Sequence, residues 1–164
     1  MNWEAIGAVG EVLGALAVVL SLVYLATQIR QNTKSAQAAS RDSISRSTID
    51  ILLANSSDPE TAKFFFTGLM NPDALATADL AFRFDMMIYA VFESYEAAFA
   101  QWKRGVLSDA DWEKWSRIIA NYMEAPGVQK AWSSRGLKDA LTPAFQDYVE
   151  GLGDAEGWSW YQDE

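Results

Sequence analysis

The chain has 164 residues, a net charge of −9, no Cys and no His. Without Cys there is no disulfide framework and no thiolate chemistry, and without His the usual general base and the common zinc-ligand sets are missing. An acidic chain is also a poor nucleic-acid binder, because neutralising phosphate charge supplies most of that affinity. We therefore expect no nucleic-acid partner, no cofactor, no metal site and no enzymatic activity.

The first element in chain order is an apolar stretch within residues 1–29. As a helix, residues 6–26 would cover about 31 Å, the thickness of a hydrocarbon core. Trp3 and Tyr24 flank this stretch, where amphipathic rings favour the membrane interface. The charge-free run, residues 12–26, is shorter and also matches a buried helix of a soluble protein. We interpret residues 1–29 as a transmembrane helix.

Glu11 lies inside this stretch, beside a row of small residues spaced alternately by three and four. An ionisable group within a membrane normally faces protein or water. Small residues let two helix backbones approach closely in lipid, and this spacing is that of a helix–helix contact. The pattern predicts a homo-oligomer, either with several Glu11 side chains lining an ion path or with Glu11 protonated or turned toward Trp3. We call the row the small-residue seam: Gly7, Gly10, Gly14, Ala17 and Ser21.

Basic residues follow the apolar stretch, whereas no Lys or Arg precedes it. Because positive charge stays in the cytoplasm, we expect the N-terminus outside and the C-terminal domain inside. A cleaved signal peptide is disfavoured, since Glu4 stands where such peptides carry positive charge. Arg30 and Lys34 are expected to contact lipid head groups. The basic residues are Arg30, Lys34, Arg41 and Arg46.

Residues 30–54 contain no Gly and no Pro and are mostly polar. We expect the transmembrane helix to continue through them as a stalk, and a flexible Ser/Thr-rich linker is the alternative. A thin apolar seam is predicted to meet a partner stalk, through Ile29, Ala36, Ile44 and Ile51.

Residues 55–164 carry the whole net charge of −9 and are predicted to form an acidic cytoplasmic helical domain. Helices are expected over 59–70, 78–104, from Asp109 onward, over 127–134 and over 142–150. Their predicted caps are Ser57 or Asp58, Thr77 and Ser108. Apolar side chains at helical spacing predict the inward faces. These are Phe84, Ile88, Val91, Tyr95, Ala98 and Trp102, then Trp112, Trp115, Ile119 and Tyr122, then Phe145 and Tyr148.

Two further features of this domain concern binding. Glu93 and Glu96 form an ExxE pair near Asp85, which would hold a divalent metal only if another carboxylate matched them, and a solvated face is the favoured interpretation. Trp158 and Trp160, in the acidic tail, are expected to fold back on the domain or to dock on a partner protein.

The stretches WEAIGAVGEVLGALAVVLSLVYLATQIRQNT (3–33) and FESYEAAFAQWKRGVLSDADWEKW (92–115) resemble a loose group of uncharacterised bacterial small proteins. Members of that group combine one N-terminal, Gly-rich, Glu-containing transmembrane helix with a helical cytoplasmic domain, and a YLA-x-QIRQNT sequence ends the helix. The resemblance covers most of the chain and implies a bacterial inner-membrane protein. It implies no catalytic residues.

Together these patterns predict an all-α protein in three parts: a transmembrane helix (1–29), a helical stalk (30–54) and an acidic cytoplasmic helical domain (55–164). The function expected is self-association through the transmembrane helix, with the domain as scaffold or interaction module. A homo-oligomeric ion pathway at Glu11 is the alternative. A membrane-tethered metal–carboxylate enzyme is the least favoured hypothesis.

Overall fold

The computed structural model describes residues 3–152. Within this range the chain forms six α-helices, two short 3₁₀ helices and no strand, which confirms the all-α prediction of a long N-terminal helix followed by a small bundle. The helices are α1 (Trp3–Asn55), α2 (Pro59–Met70), α3 (Ala78–Lys103), α4 (Asp109–Glu124), α5 (Pro126–Ser134) and α6 (Pro143–Glu150), and the 3₁₀ helices are Pro72–Ala74 and Lys138–Ala140.

Helix α1 runs unbroken for 53 residues, which corresponds to about 80 Å. Its polar half is therefore helical, as predicted, and the flexible-linker alternative is wrong. Hydroxyl groups along α1 donate to carbonyl oxygens of the preceding turn, and this keeps them compatible with a helix. Thr33 Oγ1, for example, lies 2.9 Å from the Ile29 carbonyl oxygen.

The chain divides into two compact units, and the division falls between Ala39 and Ser40. We call residues 3–39 the N-terminal arm and residues 40–152 the bundle. The last part of α1 therefore belongs to the bundle, where Ile44 and Ile51 pack against the bundle's own core. Both side chains are only partly buried there, so their predicted contact with a partner stalk stays a prediction. In the arm, Ile29 remains 65% exposed.

Helix α3 is the central element of the bundle. Its predicted inward residues Phe84, Ile88, Val91, Tyr95 and Ala98 are buried, and Trp102 is partly buried. The predicted inner residues of α4 and α6 also pack in this core. Trp112, Ile119 and Phe145 are buried, and Trp115, Tyr122 and Tyr148 are partly buried.

Phe99, which the sequence interpretation did not single out, lies at the centre of an aromatic cluster. Its ring centroid is 5.3 Å from Phe145 and 5.1 Å from Tyr148. Trp102 and Trp112 stack beside it, with centroids 5.2 Å apart and planes 10° apart. Trp112 Nε1 donates to Tyr148 Oη at 2.9 Å, so its indole nitrogen is satisfied inside the core.

Helices α2 and α5 cross at two glycines. A Cβ atom built on Gly127 would lie 1.9 Å from the Gly68 carbonyl oxygen, and one on Gly68 would lie 2.2 Å from the Phe84 ring. Only residues without a side chain permit this approach.

All three predicted N-cap positions agree with the helix starts, and side-chain capping bonds form at two of them. The Asp58 carboxylate accepts from the Glu60 and Thr61 amides at 3.0 and 2.9 Å. The hydrogen bonds from the Thr61 amide and hydroxyl hold the pKa of the Asp58 carboxyl below the ordinary value of 3.8. Ser108 Oγ accepts from the Asp111 amide at 3.2 Å. Thr77 occupies the predicted position before α3 but makes no side-chain capping bond. Gly105, with φ +72°, follows the end of α3.

Candidate functional site

The N-terminal arm carries an apolar surface that is exposed. One helix of the described chain is long and apolar enough to cross a membrane. An 18-residue segment of this helix has a mean hydropathy of 2.2, and no residue of that segment is buried. Leu16 is 55% exposed and Leu20 is 61% exposed. This exposure argues against the interpretation of residues 12–26 as a buried helix of a soluble protein, because such a helix would cover these side chains.

The small-residue seam follows one side of the arm. Successive helical residues turn by about 100°, which places the five seam residues within an arc of about 80°. A Cβ atom built at Gly7, Gly10 or Gly14 would meet nothing within 4 Å. Ser21 Oγ donates to the Ala17 carbonyl oxygen at 2.8 Å, so this hydroxyl is satisfied within its own helix. The seam is therefore open, and its role in self-association stays a prediction.

Glu11 borders the seam, about 40° beyond its edge around the helix axis. The side chain is exposed. Within residues 3–152 no hydrogen bond or ion pair to its carboxylate is found. Arg30 and Lys34 are exposed as well.

The three carboxylates considered for a metal site are not brought together. Asp85 pairs with Arg135 at 3.1 Å, and both side chains are 17% exposed, so this part of α3 is not the solvated face that was predicted. Glu93 Oε2 accepts from Tyr89 Oη at 3.2 Å, a bond that raises the pKa of the tyrosine. Among the described residues no group of His, Cys, Asp or Glu side chains could hold a metal ion.

Glu96 has a structural role that its position in the ExxE pair did not indicate. Its carboxylate accepts from the Thr142 amide at 2.7 Å and from the Thr142 hydroxyl. Thr142 precedes α6 and makes no capping bond of its own, so Glu96 caps α6 from α3.

We expect Glu96→Ala to lower the free energy of unfolding of the bundle by about 0.5–2 kcal/mol, the usual effect of losing a helix cap. Urea unfolding followed by tryptophan fluorescence measures it. Glu93→Ala is the matched control, because Glu93 is exposed and its hydrogen bond is to Tyr89 of its own helix, and its effect should stay within about 0.5 kcal/mol. Equal effects of the two substitutions would contradict the capping role.

A cavity of about 430 Å³ lies between the end of α1, α2 and α4. Asn55 and Asn121 line it, with 8% and 6% exposure, and the Nδ2 atom of each is buried and donates to no acceptor in the described chain. The sequence interpretation missed both residues. Only Asn121 could have been noticed from the sequence, because it is a polar residue next to Tyr122 on a helix whose inner face is otherwise apolar.

Trp158 and Trp160, expected to fold back or to dock on a partner, lie outside the described residues. Comparison of the chain with protein-family models, with curated proteins and with solved structures finds no match.

Proposed function

We propose that this chain is a single-pass inner-membrane protein that self-associates through the small-residue seam and carries the acidic bundle in the cytoplasm as a scaffold or interaction module. The observation that carries the proposal is the exposed apolar surface of the arm, which is too large for a soluble monomer. The basic residues Arg30 and Lys34 follow that surface, and this asymmetry supports a cytoplasmic bundle.

Free energies of insertion support association rather than an isolated helix. Eight Leu and Val side chains between residues 13 and 25 favour insertion by about −2.4 to −4.8 kcal/mol in total. A carboxylate at the membrane centre costs about 2.5–3.5 kcal/mol on the same scale. One arm alone in lipid is thus close to neutral. Packing the seam against a second copy would remove the adjacent Glu11 from lipid, and this favours the oligomer.

The bundle contributes negative charge and a helical surface. Of the net charge of −9, the bundle (residues 40–152) carries −5 and residues 153–164 carry the remaining −4. An acidic surface is repelled by anionic lipid heads, so the bundle should stay off the membrane and present its surface to other proteins. Lipid head groups contact the protein at Arg30 and Lys34 in this proposal.

Chemical crosslinking in native membranes tests the seam. Ala17 belongs to the seam, and Ala15, at nearly the same depth, points about 120° away from the centre of the seam. We expect Ala17→Leu to reduce the crosslinked oligomer at least about tenfold, because a branched side chain prevents close backbone approach, and Ala15→Leu to leave it unchanged. A chain that is monomeric before any substitution, or equal effects of the two variants, would overturn the proposed association.

A signal sequence can be as long and as apolar as this part of α1. Alkaline carbonate extraction followed by intact mass measurement distinguishes the two. We expect the chain to stay in the membrane pellet with the arm attached. A measured mass equal to that of the chain without the arm would mean that the arm is cleaved, and this would exclude its role as a membrane anchor.

An ion pathway is the second candidate function, and it rests on Glu11, which is exposed and without a hydrogen-bond or ion-pair partner among the described residues. Ionisable groups within membranes commonly mark ion paths. Reconstituted vesicles should then show a cation flux that Glu11→Gln lowers several-fold. Indistinguishable fluxes from the two proteins would remove this candidate and leave the self-association proposal standing.

A further inference from the structure

A groove lies between the end of α1 and the first half of α3. Its volume is about 490 Å³, and most of the side chains that line it are apolar, among them Ala54 of α1 and Phe82 and Met86 of α3. Phe82 is 64% exposed and Met86 is 46% exposed, although both belong to the bundle and not to the apolar arm. Exposed apolar surface gathered in one place commonly marks a docking site. We call it the α1–α3 groove.

Arg83 gives the α1–α3 groove a positive charge. It is exposed, it is the only charged residue in the lining, and no ion pair to it is found within residues 3–152. Its guanidinium lies 4.6 Å from the centroid of the Phe64 ring. A contact with the ring face leaves the N–H groups of a guanidinium able to bind a carboxylate. The groove therefore suits a segment that combines apolar side chains with negative charge.

Residues 153–164 of the same chain have this combination. They contain Trp158, Trp160 and Tyr161 together with four acidic residues, and they contain no Lys or Arg. Tryptophan and tyrosine are frequent anchors of docking segments, because each buries a large apolar area. The net charge of −4 on this segment is opposite in sign to the charge of Arg83.

The segment is long enough to reach the groove. Trp160 lies eight residues after Leu152, so it can extend about 26–29 Å from the end of the described chain. A compact unit of the size of the bundle has a radius of gyration of about 13 Å, half of that reach.

Ion pairs connect the start of the segment to the part of α3 that borders the groove. Glu150, at the end of α6, pairs with Lys138. Arg135, three residues before Lys138, pairs with Asp85 at 3.1 Å, and Asp85 is the neighbour of Met86 in α3.

We propose that residues 153–164 dock in the α1–α3 groove of their own chain, with Trp158 and Trp160 against Phe82 and Met86 and with an acidic side chain paired to Arg83. Because the segment is joined to the bundle, a weak contact is enough to keep it docked. The docked segment covers the exposed apolar surface and competes with any other protein for the groove. This docking does not depend on self-association of the arm.

Disulfide trapping in the full chain, purified in lipid nanodiscs, tests the docking. Because the chain contains no Cys, Ala54→Cys with Ser159→Cys introduces a single thiol pair, with one thiol in the groove and the other between the two tryptophans. Ala110→Cys with Ser159→Cys is the matched control. Ala110 is exposed, as Ala54 is, and it lies two residues before Trp112, which contacts Tyr148 of the helix that precedes the segment. An undocked segment would therefore meet the control site as readily as the groove.

We expect oxidised glutathione to close the Ala54–Ser159 pair at least about tenfold faster than the Ala110–Ser159 pair, because docking raises the local concentration of one thiol near the other. Replacing both tryptophans of the segment by Ser should slow closure to the control rate, whereas Gln162→Ser in the same segment should leave it unchanged. Met86→Asp places a repelling charge at an exposed position of the groove and should also slow closure, with the helical circular dichroism unchanged.

Three outcomes would overturn the proposal. Equal closure rates of the two thiol pairs would mean that the segment does not prefer the groove. Slow closure of both pairs, with thiols that still react with a maleimide, would mean that the segment docks elsewhere or not at all. A disulfide that joins two chains, detected by mass spectrometry after isotopically light and heavy chains are mixed, would mean that the groove holds the segment of a second copy.

Discussion

Gly127→Ala should lower the free energy of unfolding of the bundle by about 3 kcal/mol or more. The added methyl group would lie 1.9 Å from the Gly68 carbonyl oxygen and 2.9 Å from its carbonyl carbon. Both are backbone atoms of α2, so no side-chain rotation relieves the overlap and one of the two helices must move. Alanine gains at most about 1 kcal/mol over glycine from helix propensity, so the steric effect decides the sign.

Urea unfolding followed by tryptophan fluorescence measures the effect, because Trp112 and Trp132 are buried in the bundle. Gly10→Ala is the matched control, because its added methyl group meets nothing within 4 Å. We expect the control to leave unfolding of the bundle unchanged. If Gly127→Ala unfolds at the same urea concentration as the unsubstituted protein, the close packing of α2 on α5 is wrong.

Phe99→Ala should also destabilise the bundle strongly and lower its free energy of unfolding by about 3–5 kcal/mol. Phe99 is 5% exposed, and its ring contacts four other aromatic rings. Removing the ring leaves a cavity between α3, α4 and α6 and abolishes four tilted ring contacts, which add about 0.5–1.5 kcal/mol each. The stacked pair of Trp102 and Trp112 then loses its support on one side.

Near-ultraviolet circular dichroism should lose intensity in Phe99→Ala while the far-ultraviolet spectrum still shows helix. Phe82→Ala on the same helix is the control, since Phe82 is 64% exposed, and its effect should remain within about 0.5 kcal/mol. Equal stability of the two variants would contradict the placement of Phe99 at the centre of the core.

The helices of the bundle were predictable because local signals mark both their ends and their faces. Pro59, Pro126 and Pro143 each begin a helix, and the predicted bounds of α2 and the predicted start of α4 agree with the structure. The apolar spacing in α3 correctly predicted five buried side chains. Such signals lie within one or two helical turns, where spacing alone decides which side chains share a face.

The roles of polar residues were less predictable, since they depend on which element lies opposite. Asp85 and Glu96 looked like members of one solvated face, yet the first pairs with Arg135 and the second caps α6. Ile44 and Ile51 were predicted only to meet a partner stalk, and the structure shows that they also pack against the core of their own chain. Nothing near Asn55 in the sequence indicates that it shares a cavity with Asn121.

By itself, the sequence determined that this chain is all-helical, that its first helix is apolar enough to span a membrane, and that its negative charge lies in the C-terminal domain. These properties follow from composition and from the 3.6-residue helical period, which act over short distances along the chain. Only the tertiary structure decided that the bundle begins at Ser40, that Gly127 contacts Gly68, and that Asn55 and Asn121 line one cavity. Each of these depends on contacts between residues far apart in sequence, which local periodicity does not encode.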